Sequence, residues 1–298
     1  MRAALLVFLF FGVPGVLAQD GPPGEAPGES VSEESALALW LAVWAGLAAA
    51  AIVAAGLTGW LTPRRYQHTR DVSPRSAPGW LLIAFLMFLA QGLTAALAAP
   101  LVPAGNTLAV TSVMTIGGAM GVLLVLAFEW NRTPAGGLRL TPETGFRVSV
   151  RDAWVGVLVC AGAIPLVSLA AMLGQMIEPS GGPSHETLRL LQENDSPAAL
   201  WLTVAAVCVA APVAEELLFR GGVQSAFRRA GLGPLAAALA ASVLFLMVHV
   251  AVLDAAALPA LLVLSLVLGL SFERTGRIGT PIVAHACFNA FNIWAAGL

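Results

Sequence analysis

Five ionisable side chains and an amide sit in stretches of this chain that are otherwise apolar enough to span a bilayer. Glu215, Glu216 and Arg220 lie in AAPVAEELLFRGG, His249 in SVLFLMVHV, and His285 with Asn289 in PIVAHACFNAFN. A charge within a bilayer-spanning helix costs roughly 2.5–3.5 kcal/mol even on permissive insertion scales. Two carboxylates, a guanidinium and two imidazoles therefore point to a polar active site or a conduction pathway between helices.

Spacing makes the group chemically readable. Residues four apart on a helix share a face, whereas neighbours point about 100° apart. Glu216 and Arg220 are four apart and can pair, so the reading gives them a structural role. Glu215 then points elsewhere with no local cation, and an unpaired carboxylate at low dielectric suits a general base. His285 and Asn289 share a face that Asn292 continues, and Phe245 and His249 repeat the interval. Leu232 marks a helical hairpin, and Glu215 and His249 lie seventeen residues to either side of it. At about 1.5 Å per residue they would stand at similar heights on antiparallel helices, as a water-activating pair needs. Pro212, just upstream, removes a helix hydrogen bond and predicts a kink or water-accessible break. The competing reading is a hydrogen-bonded lock between helices.

The elements that must position these groups follow from composition. Of 298 residues 58% are hydrophobic and 11% charged, against about 25% charged in soluble domains. Continuous apolar runs of about 20 residues exclude a β-barrel and specify an all-α, polytopic transmembrane bundle. No basic stripe supports a nucleic-acid partner, and every basic residue is Arg. Residues 1–18 read as a cleaved signal peptide, with Arg2 before an apolar run and a small-residue site at Ala18. Residues 19–35, rich in Pro, Gly and acids, read as a flexible exported segment. About eight spans follow, at 36–61, 80–104, 107–130, 153–177, 198–219, 235–253, 255–272 and from 279. They divide into N-terminal helices over 36–194 and a core over 195–295.

Arg residues cluster after the first, third, fifth and seventh spans, while the opposite loops carry only Arg189. The positive-inside rule then puts the first set in the cytoplasm and both mature termini outside. SHETLRLLQEND could lie on the outer face as an amphipathic stretch or serve as an ordinary connector. Gly117 and Gly121 form a GxxxG that marks close helix packing. Trp40, Trp44, Trp60 and Trp80, near span ends, read as interfacial anchors. Cys160, Cys208 and Cys287 read as packing residues, and His68 and His185 as loop residues without a special role.

EELLFRG, FLMVH and HACFN, in this order, resemble the EExxxR, FxxxH and HxxxN motifs of the CAAX-protease and bacteriocin-processing family of intramembrane proteases. The resemblance covers about residues 195–295. It implies hydrolysis of a peptide bond in a membrane-associated protein or peptide. Carried over residue by residue, Glu215 is the base acting with His249 on water, and His285 and Asn289 polarise the scissile carbonyl. Glu216 and Arg220 hold their helix. The family is often called a metalloprotease, and His249, His285 and a carboxylate could bind Zn2+. HExxH is absent, and a metal-free glutamate mechanism resembles the family equally well. The alternatives are a non-proteolytic scaffold or immunity protein keeping the fold, and a proton-coupled transporter. The signal peptide, with no organelle signal, points to a bacterial plasma membrane.

Overall fold

In the computed structural model, residues 33–60, 62, 66, 77–103, 105–131, 145–178, 196–251 and 253–295 are described. The signal peptide at 1–18, most of the 19–35 segment, SHETLRLLQEND, His68 and His185 lie outside them. Among the described residues, eight longer helical stretches follow in order: α1 Glu33–Leu57, α2 Ala77–Ala98, α3 Thr107–Asn131, α4 Val150–Ile177, α5 Pro197–Arg229, α6 Pro234–His249, α7 Leu258–Thr275 and α8 Gly279–Ala295. No strand occurs among the described residues.

Among the described residues, six stretches are long and apolar enough to cross a bilayer: Ala38–Leu57, Ala77–Leu101, Thr107–Glu129, Val150–Ile177, Pro197–Arg229 and Ala255–Thr275. By length and composition these are the spans of a multi-pass membrane protein. The count of eight spans is not confirmed among the described residues. α6 has 16 residues and ends at His249, and α8 has 17. A straight crossing takes about 20.

Many large apolar side chains point outward, among them Leu82, Phe85, Leu89, Leu158 and Leu235. Such an exterior suits lipid, where apolar surface has no reason to hide. The interior carries instead an unusual share of polar groups, including Asp152, Glu216, Arg220, Gln224, Glu273 and His285. α5 is central: it packs against α2, α3, α6 and α8, while α4 docks on α1, α7 and α8.

The GxxxG reading is met by the α2–α3 seam. A Cβ on Gly121 would stand 2.4 Å from the Ala90 carbonyl oxygen, and one on Gly117 2.6 Å from the Ala98 Cβ. The cysteines are free, as packing residues would be. Two of the four tryptophans depart from the anchor reading. Trp44 is buried, and Trp80 lies under the Arg229 guanidinium at 4.3 Å with Phe146 5.7 Å away. An aromatic face near helix ends serves a cation as readily as an interface.

The ends of α5 and α7, Trp60 after α1 and the start of α4 meet at one end of the bundle. Arg228 Nε lies 3.2 Å from Glu273 Oε2, Arg274 lies over Trp60, and Arg277 pairs with Asp152.

Candidate active site

Local chemistry in α5 explains its irregular path. The helix runs through Pro212 without breaking, but residues Ala206–Ala210 and Leu217–Gln224 are wound as π-helix. Pro212 has no N–H and its ring crowds the carbonyl four residues back. A widened turn relieves this: the Ala211 N–H bonds to Ala206 O, five residues back. Val207 O thereby loses Ala211 as donor, and Pro212 has nothing to offer it. Asn289 Nδ2 donates to that carbonyl at 2.8 Å. The expected break is thus a widened turn that a side chain from α8 completes. π-turns inside α-helices gather at functional sites.

The six α-helical residues between the two π segments, Ala211–Glu216, carry both glutamates. Glu216 is fully buried, and its Oε1 accepts from Arg220 Nη1 at 3.0 Å and from His285 Nδ1 at 2.9 Å. A carboxylate only accepts, so the proton of that second bond sits on Nδ1 and the Nε2 of His285 faces away from Glu216. It faces Glu215, whose Oε2 lies 3.9 Å from Nε2. That separation is an ion-pair distance, beyond a direct hydrogen bond. Glu215 is the more accessible of the two, its side chain 19% exposed. One imidazole therefore spans two adjacent carboxylates that leave the helix in different directions.

His249 stands apart from this chain of contacts. Its Nδ1 donates to Phe245 O at 2.7 Å, leaving Nε2 as the uncommitted nitrogen. Phe245 is buried and joins the two histidines: its ring lies 4.4 Å from that of His249 and 6.4 Å from that of His285. It also packs edge-on against Phe219 at 4.9 Å, with the Arg220 guanidinium 5.1 Å over it. Phe245 is therefore level with Phe219 and Arg220, and one turn further on each helix come His249 and the glutamates. The heights agree with the hairpin count, yet it is His285, not His249, whose ring nitrogen lies 3.9 Å from the Glu215 carboxylate. Equal height leaves rotation about the helix axes open, and packing sets that rotation toward α8.

Sequence reading missed a polar ladder below the glutamates. Arg220 Nη2 also donates to Ser265 O at 2.7 Å and Ser265 Oγ at 2.8 Å. Gln224 Nε2 donates to Gly269 O at 3.0 Å and to Glu273 Oε1 at 2.9 Å. Glu216, Arg220, Gln224 and Arg228 recur every four residues, as do Ser265, Gly269 and Glu273. That double period was available as a signal. A Cβ on Gly269 would stand 2.9 Å from Gln224 Oε1, so glycine lets the amide in.

Among the described residues, no three His, Cys, Asp or Glu side chains are grouped to hold a metal ion. His249 and His285 each commit Nδ1 and keep Nε2, the nitrogen a metal would take, but among the described residues no third ligand joins them in a group. In this arrangement they do not form the zinc site the resemblance allowed.

Residues 197–291 match the family model described as type II CAAX prenyl endopeptidase Rce1-like. The match spans α5 to most of α8 and holds all three motifs and every residue of the candidate site. Comparison with curated proteins and with solved structures returned no match.

Proposed function

We propose that this chain, whose residues 197–291 form an Rce1-like domain of a protease family, is an intramembrane endopeptidase acting on a membrane-associated protein or peptide. The observation that carries the reading is His285 spanning Glu216 and Glu215 inside an apolar bundle. A structural lock needs the first contact but gains nothing from leaving a second, partly exposed carboxylate facing the other nitrogen.

Glu215 takes a proton from a water molecule whose oxygen adds to the scissile carbonyl carbon. Nε2 of His249, held by the Phe245 carbonyl at Nδ1, accepts the other hydrogen bond of that water and orients it. Negative charge gathers on the carbonyl oxygen. In its doubly protonated form His285 gives Nδ1–H to Glu216 and turns Nε2–H toward that oxygen. Asn289 spends one amide hydrogen on Val207 O and has a second to offer. The proton on Glu215 then passes to the amide nitrogen, the C–N bond breaks, and an acid and an amine leave.

The test compares membrane peptides in cells carrying the wild-type chain with those in cells carrying Glu215→Gln. Cleavage products present in the first and absent from the second, at equal amounts of folded protein, are expected. Identical peptides in both would leave the scaffold or immunity reading in place.

A further inference from the structure

The family match begins at residue 197, yet the helix carrying His285 and Asn289 is seated by residues far upstream of it. Segment 145–149 opens on a tight turn, with Arg147 N donating to Gly145 O at 2.8 Å, and leads into α4. Its carbonyls take N–H groups where α8 begins: Ile278 N, just before the helix, donates to Gly145 O at 2.9 Å and Gly279 N to Arg147 O at 3.3 Å. Phe146 pins the segment between Trp80 and Gly221, where a Cβ would meet its ring at 2.9 Å.

Asp152, in the first turn of α4, is buried and accepts from four donors. Ser149 N reaches Oδ2 at 2.7 Å, the contact of an ordinary helix cap. The other three come from the start of α8: Arg277 Nε to Oδ1 at 2.7 Å, Arg277 Nη2 to Oδ2 at 2.9 Å, and Thr280 Oγ1 to Oδ1 at 3.0 Å. A planar fork on a planar carboxylate fixes direction as well as distance. A Cβ on Gly279 would stand 2.6 Å from Oδ2, and one on Gly156 2.6 Å from Val283 Cβ, so both glycines allow α8 to sit this close. The hydrogen bonds to Asp152 hold the Arg277 guanidinium protonated above its ordinary range.

α8 is thus held at three heights: by Asp152 at Arg277 and Thr280, by the glutamates at His285, and by Val207 O at Asn289. His285 lies five residues beyond Thr280, about 8 Å along the axis. We propose that Asp152 is a positioning residue for His285: through Arg277 and Thr280 it sets where α8 begins and so where the imidazole stands between Glu215 and Glu216. The inference rests on the protease reading of the site. It makes α4, outside the family match, part of the working enzyme.

The experiment uses the full chain in proteoliposomes with a cleaved membrane peptide. It pairs kinetics with the distance between spin labels at the outward-facing Leu158 on α4 and Ala290 on α8. Arg277→Gln is expected to lower kcat by about 10²-fold with KM little changed, since displacement of about 1 Å can cost that much. It should also shift or broaden the label distance, and Arg277→Lys should recover part of both. Thr280→Val removes one of the four donors and serves should Arg277→Gln fold poorly; a smaller drop in kcat of the same kind is expected. Unchanged kcat in folded Arg277→Gln, or a loss that tracks only the amount of folded protein, overturns the proposal. If the wild-type chain cleaves nothing, the protease reading has failed. The label distance then decides by itself, and an unchanged distance in Arg277→Gln overturns the positioning role of Asp152.

Discussion

Two seams of this bundle are closed by opposite means. Between α2 and α3, Gly117 and Gly121 bring backbones together against Ala90, Thr94 and Ala98, with no charge involved. Between α5 and α7, long polar side chains reach across: Arg220 to Ser265, Gln224 to Gly269 and Glu273, Arg228 to Glu273. The first seam relies on van der Waals contact, which tolerates modest change because each atom pair contributes little. The second consists of groups that cannot be left unpaired, so one deletion strands its partners. The candidate site adjoins the second seam at Glu216, which Arg220 and His285 both reach.

The largest effect should come from the ladder. Glu216→Gln removes the charge that Arg220 and His285 share, and breaking a buried pair costs about 3–5 kcal/mol. Folded yield after size-exclusion chromatography should fall sharply, whereas Glu215→Gln should keep normal yield while losing cleavage. Equal yields would dissolve the distinction between the two glutamates. An intermediate effect is expected on the small-residue seam. Gly121→Ala places a methyl 2.4 Å from the Ala90 carbonyl oxygen and should cost about 1–3 kcal/mol, read as earlier thermal unfolding. Cleavage per folded molecule should not change, and a changed rate would mean the seams are coupled. The smallest effect is a gain. Gly162, within α4, has nothing within 4 Å of an added Cβ, so Gly162→Ala should stabilise by up to about 1 kcal/mol. Destabilisation there would show that α4 has a tighter neighbour than α1, α7 and α8.

Within one helix, the linear order of residues carried most of the information. The Glu216–Arg220 pair, the divergence of Glu215, the close approach at Gly117 and Gly121, and the shared height of Glu215 and His249 all follow from a repeat of 3.6 residues and a rise of 1.5 Å. Local chemistry also marked Pro212 as a disturbance, though not its outcome. The widened turn and its completion by Asn289 needed knowledge of what stood beside Val207.

What the chain determined by itself was therefore the all-helical character, the polar residues too costly to be incidental, and their faces on each helix. The tertiary structure alone decided that His285 rather than His249 meets Glu215. It also decided that Gln224 meets Glu273, and that Asp152 meets Arg277 from 125 positions away. The physical reason is that helical periodicity fixes angles only about one axis. How far each helix turns toward its neighbours is set by the packing of whole faces, where glycines such as Gly156, Gly269 and Gly279 admit one side chain and turn another away.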